Sequence, residues 1–135
     1  MELIYEHADH CIAISQDKEL NIIMIQFQGV VEHEAYQEAY RVFMELAASS
    51  QCLKYIYHTK KIKKVSVRSR IWYLNHVFPN LYKSTMLTAI VNAEHIGSQV
   101  ATDTMRDALI EMGYDELNVQ RFESFEEAKS WLRSR

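Results

Sequence analysis

Between Leu20 and Ala47 the spacing of apolar residues changes once, and the change falls at Gly29. Before it, Ile22, Ile23, Met24, Ile25 and Phe27 crowd into one short run. After it, Tyr36, Ala39, Tyr40, Phe43, Leu46 and Ala47 recur at three- and four-residue steps. The first pattern is a strand apolar on both faces, with Ile23, Ile25 and Phe27 pointing one way and Ile22, Met24 and Gln26 the other. The second is the buried stripe of an amphipathic helix. A doubly covered strand that passes straight into a helix belongs to an α/β sheet.

The same alternation organises the rest of the chain. Cys11–Ser15 reads as a strand, joined to Leu20–Gln28 through the polar turn Gln16–Glu19, so a hairpin is expected. Residues 3–7 fit an edge strand ahead of it. Leu53–Tyr57, Met86–Val91 and Leu117–Phe122 have strand character, the second buried on both faces. Val67, Ile71, Leu74 and Phe78 mark a helix expected to stop near Phe78, because Pro79 disfavours helical geometry at the residue before it. Ala101, Met105, Ala108 and Met112 mark another, over about Ser98–Met112, with Gly113 as its left-handed cap. Ser124 and Glu127 open the last helix in a capping-box arrangement, with Phe125, Ala128 and Leu132 facing inward.

The resulting order is β-β-β-α-β-α-β-α-β-α. Strands separated by helices need crossovers, and right-handed crossovers put successive helices on one face. The expected fold is α/β, a single domain over residues 1–135. It is a mixed β-sheet with an N-terminal antiparallel hairpin and its helices packed mainly on one face.

Composition removes several functional classes. The formal net charge of −3 opposes a general nucleic-acid binder, which needs basic residues to displace phosphate counterions. No apolar run reaches the roughly 20 residues of a membrane span. The acidic start Met1-Glu2-Leu3-Ile4-Tyr5-Glu6-His7 does not resemble a secretory leader, so a cytoplasmic location is expected. Cys11 and Cys52 both sit in or beside apolar segments and are read as buried thiols.

Catalytic signatures are lacking. The chain has no nucleophile elbow, no glycine-rich phosphate loop and no dinucleotide fingerprint, and no cofactor is indicated. Glu126 and Glu127 fit the favourable charge of a helix N-terminus. His33, His58 and His95 each follow an expected strand, where parallel sheets bind ligands, and with Glu32, Glu34 and Glu94 they define a metal-binding alternative. Their wide separation and the lack of a thiolate or HxH pattern argue against a structural metal.

The sharpest local feature is basic. Lys54, Lys60, Lys61, Lys63, Lys64, Arg68 and Arg70 hold nearly half of the chain's 15 basic residues. Read as a loop entering a helix, Lys60, Lys61, Lys63, Lys64 and Arg68 would attract an anionic group on a partner or ligand, with Ser66 capping the helix. The plainer reading is a solvated charge run. Trp72, Tyr73 and Tyr82 follow as aromatics able to line a pocket or interface, or simply to pack on the sheet.

Three segments carry a family resemblance: Phe27-Gln28-Gly29-Val30-Val31-Glu32-His33-Glu34-Ala35-Tyr36, Thr88-Ala89-Ile90-Val91, and Phe122-Glu123-Ser124-Phe125-Glu126-Glu127-Ala128-Lys129-Ser130-Trp131-Leu132. In this order they resemble the SpoIIAA-like branch of the STAS superfamily, also called STAS/SEC14-like. The resemblance implies a non-enzymatic regulatory domain that acts through a protein partner or self-association. Better-known relatives are anti-sigma factor antagonists switched by phosphorylation in an Asp-Ser-Ser/Thr-Gly-like motif. Here the corresponding place reads His58-Thr59-Lys60-Lys61, without the Asp or the Gly, so the phosphoswitch is not carried over. The SEC14 side of the resemblance adds a second alternative, a carrier of a small anionic molecule or lipid.

Overall fold

The hairpin forms where the polar turn stands. In the computed structural model, which describes residues 1–135, β2 (Ile12–Asp17) and β3 (Ile22–Val31) pair antiparallel. Asp17 closes the turn by accepting a hydrogen bond from the Leu20 amide at 2.9 Å, and Asn21 takes the positive φ of 52° that the turn requires. β1 (Glu2–Glu6) adds antiparallel to β2 at the edge.

The remaining strands are β4 (Lys54–Val65), β5 (Leu87–Val91) and β6 (Val119–Phe122). Strand order across the six-stranded sheet follows the chain, β1-β2-β3-β4-β5-β6, and every pair from β3 onward is parallel. The helical connections are α1 (His33–Ser49), the segment Val67–Leu81, and α4 (Ile96–Glu111); α5 (Phe125–Arg133) follows β6.

The pleat of β3 divides the apolar residues between two cores, in the way its alternation predicts. Ile23, Ile25 and Phe27 join Tyr36, Tyr40 and Phe43 of α1, Tyr73 and Leu109 in the main core. Ile22 and Met24 lie on the opposite face with Ile56, Ala89, Val91 and the α5 residues Ala128 and Leu132. The first three helical connections therefore share one face, and α5 alone covers the other. Ser124 caps α5 by accepting from the Glu127 amide, and Lys54 closes its far end by donating to the Leu132 carbonyl at 2.9 Å. Gly113 has φ +103° just past α4, the left-handed geometry expected of it.

Two expectations need correction. Residues 60–65 are not a loop: β4 runs on to Val65, beside the extended end of β3. Twice along this stretch β4 advances one residue more than β3, between Gln26 and Gln28 and between Gly29 and Val30. Bulges of this kind break the two-residue alternation and disguise the strand in sequence. β3 likewise continues past Gly29, whose φ of +70° sits at this irregularity.

The second correction concerns Pro79. The segment does not stop at Phe78, whose backbone is helical at φ −57° and ψ −48°. α2 (Val67–Trp72) widens into a π-helical turn over Tyr73–Val77 and resumes as α3 (Phe78–Leu81). The Phe78 amide donates to the Tyr73 carbonyl, five residues back. Pro79 then stands in the first turn of α3, where its missing amide costs little, and the Asn80 side chain donates to the His76 carbonyl at 2.7 Å.

Candidate functional site

Four tyrosines meet between the helical layer and the sheet. Tyr36 and Tyr40 lie one turn apart on α1, with ring centres 4.7 Å apart. Tyr57 rises from β4, and Tyr73 opens the π-helical turn. The hydroxyls of Tyr57 and Tyr73 share a hydrogen bond of 2.5 Å, and the Tyr40 and Tyr73 rings meet edge to face at 5.1 Å. Burial pushes all four phenols above the ordinary tyrosine range, so they stay neutral at physiological pH.

These rings border a cavity of about 100 Å³. Its deep wall is made of buried Phe27, Tyr36, Tyr40, Tyr73, Ile90 and Leu109. Half-buried Val65, Arg70, Ala101, Thr102, Met105 and Arg106 form its outer rim, contributed by the end of β4, α2 and α4. The volume is of the same order as the ~150 Å³ apolar cavity that takes up benzene in an engineered protein. No carboxylate, imidazole, thiol or amine lines it.

The two arginines are the cavity's charged residues. The Nε atoms of Arg70 and Arg106 are both shielded from solvent and have no hydrogen-bond partner. Neither guanidinium belongs to an ion pair. Arg106 Nη2 reaches only the Val119 carbonyl, at 3.5 Å, and Asp103, one turn before Arg106, pairs with Arg121 instead.

The basic residues anticipated as a binding loop lie outside this cavity, on the bulged ribbon of β4 and the first turn of α2. Lys61 pairs with Glu94 at 3.1 Å, both side chains exposed, and Lys60 donates to the Glu123 carbonyl at 3.4 Å. Lys63, Lys64 and Arg68 are exposed and unpaired. Ser66 caps α2 by accepting from the Ser69 amide, and its hydroxyl also donates to Ser69 Oγ at 3.0 Å. Ser69, fully buried, meets His33 Nδ1 at 2.8 Å, which ties the start of α2 to the start of α1.

Of the three aromatics singled out in the sequence, Tyr73 alone lines the cavity. Trp72 stands beside it, edge to face with Tyr36 at 6.2 Å. Tyr82 packs elsewhere, against Phe78 and Tyr114, and donates to the Gly113 carbonyl. His33, His58 and His95 do not converge. His33 opens α1 on one face of the sheet, whereas His58 stacks on Phe125 of α5 on the other, and His95 immediately precedes α4 without a side-chain capping bond. No three His, Cys, Asp or Glu side chains are placed together to hold a metal ion. Cys11 and Cys52 are buried free thiols, and no helix is long and apolar enough to cross a membrane.

Sequence reasoning overlooked Tyr36, Tyr40, Tyr57, Arg70 and Arg106 as site residues. The first two read as part of a core stripe, and Arg70 as one more charge in a basic run. One signal was available: a tyrosine in a core stripe carries a hydroxyl that needs a partner or a polar opening.

No protein-family model and no curated protein matches this sequence. Among solved structures, the chain is similar to an uncharacterized protein of the DUF3478 family from Shewanella loihica PV-4, described as having a SpoIIAA-like fold. The likeness covers 90% of this chain and 91% of that one, with a TM-score of 0.58 and 18% sequence identity. The sequential mixed sheet, its antiparallel start and its helices gathered mainly on one face are thus a SpoIIAA-like fold.

Proposed function

We propose that this chain is a non-enzymatic, STAS-type binding domain that takes a small ligand between its helices and its sheet. The observation that carries the reading is the cavity bordered by Tyr36, Tyr40, Tyr57 and Tyr73. A concave, mostly apolar site with a few polar groups at fixed positions is the usual form of a small-molecule site. The chemistry of its walls favours binding over catalysis. Neutral phenols and guanidiniums offer neither a base near pH 7 nor an activated nucleophile.

The test is a titration of ¹⁵N-labelled protein with benzyl alcohol, a neutral ring-sized probe. Shifts should concentrate at Tyr57, Tyr73, Ile90, Ala101 and Leu109, and should vanish in Ala101→Phe, which fills the rim. Shifts scattered over the surface, or untouched by that substitution, would refute a ligand cavity.

A second reading is favoured by a separate observation, the exposed and unpaired Lys63 and Lys64 at the end of β4 and Arg68 in the first turn of α2. In this reading the regulatory domain engages an acidic protein partner, with Lys60, Lys61 and Ser66 contributing to the same surface. Attraction of that kind weakens with salt, because screening limits its reach to about 8 Å at physiological ionic strength.

A further inference from the structure

We infer that the cavity selects a small monocarboxylate with an apolar body, its head held by Arg70 and Arg106; this rests on the ligand-binding reading above. The starting point is an imbalance in the walls. Each Nε–H is a strong donor withdrawn from water, and neither has an acceptor within the protein. Buried donors in folded proteins are nearly always paired, since leaving one unmet costs about 1–3 kcal/mol, and more when the group is charged. Both arginines line one cavity, and a bound acceptor there would give their guanidiniums a partner that the protein does not.

Charge narrows the class of acceptor. Two arginines line the cavity, neither in an ion pair, and no acidic side chain lines it, so an occupant with a negative head would neutralise charge that the protein leaves unpaired. The planar guanidinium fork matches a carboxylate edge, donating two parallel hydrogen bonds. The other walls set the remainder of the molecule. Phe27, Ile90, Met105 and Leu109 are apolar, the hydroxyls of Thr59, Ser98 and Thr102 already donate to backbone carbonyls, and about 100 Å³ admits a ring or a short branched chain rather than a long acyl tail. A phosphate ester would bring a second charge, which would have to be buried beside neutral phenols.

The experiment compares acids with their neutral isosteres on the full chain: benzoate with benzamide, and isovalerate with isovaleramide. In each pair calorimetry or NMR titration should find the acid at least tenfold tighter. Arg70→Gln and Arg106→Gln should each reduce acid affinity by a clearly larger factor than amide affinity, since the amide carbonyl accepts from a guanidinium without the charge. The lysine variants R70K and R106K, which keep the charge but lose the fork, should fall between, and they serve if a glutamine variant does not fold. Acid and amide binding equally to the wild type would overturn the carboxylate assignment while leaving the cavity reading intact. Tighter binding of phenyl phosphate than of benzoate would also overturn it. If benzyl alcohol and all four probes fail to bind, both readings fall together.

Discussion

Tyr57 on β4 and Tyr73 in the π-helical turn join the sheet to the helical layer through a hydroxyl–hydroxyl hydrogen bond of 2.5 Å, with their rings nearly perpendicular at 86°. Removing either hydroxyl leaves the other buried without its partner. Tyr57→Phe and Tyr73→Phe should each cost about 1–3 kcal/mol. The double variant should cost clearly less than the sum, since the second loss removes the orphan left by the first. Strict additivity in urea denaturation would mean the bond contributes nothing. The same burial sets an alkaline limit. The folded-state pKa values lie well above the unfolded value of about 10, so above that pH the unfolded chain binds fewer protons. Stability should hold up to about pH 10 and fall beyond it. Ionisation of Tyr57 and Tyr73, followed by NMR, should accompany unfolding rather than precede it.

How much of this was legible in the sequence depends on how local each cause is. The two faces of β3 follow from a period of two that nothing interrupts between Ile22 and Phe27. The caps at Ser124 and Gly113 are equally local, since each satisfies backbone groups within a few residues. β4 was cut short because its bulges place Lys60-Lys61 and Lys63-Lys64 in adjacent pairs, which hides a strand from any test of alternation. Pro79 misled because the rule assumes a regular α-helical ladder, and the π-helical turn shifts that ladder by one residue. The cavity was invisible for another reason. Its residues come from β3, β4, β5, α1, α2, α4 and the π-helical turn, and no short-range spacing links Tyr36 to Arg70 or Arg106.

His58 supplies a pH dependence of the opposite sign. Its ring stacks on Phe125 at 6.5 Å, with Nδ1 buried and unpaired. Burial holds its pKa below the ordinary value, with a smaller contribution from the charge of Lys60. The folded chain therefore favours the neutral ring. This contribution is complete above the unfolded pKa of about 6.5 and is lost as pH falls through the depressed folded value. His58→Phe should flatten the decline in urea midpoint between about pH 7 and pH 5 relative to wild type. Parallel pH profiles for the two proteins would show that His58 does not sense acid.

The basic ribbon separates surface charge from the cavity. Lys61, Lys63 and Lys64 are exposed, so reversing them to Glu should preserve the fold and shift stability by only about 0.5 kcal/mol for each residue. Lys61 carries the one qualification, because Lys61→Glu replaces its pair with Glu94 by a like-charge contact. An exposed pair of this kind contributes about 0–1 kcal/mol, and the swap K61E/E94K should recover whatever K61E loses. The ribbon residues Lys63 and Lys64 are absent from the cavity walls, so benzoate affinity of the triple variant should stay within a few-fold of wild type, the remaining change reflecting long-range charge and fading at 0.5 M salt. A loss of benzoate binding that persists at high salt, with an unchanged circular dichroism spectrum, would place the ligand on the ribbon and not between the helices and the sheet.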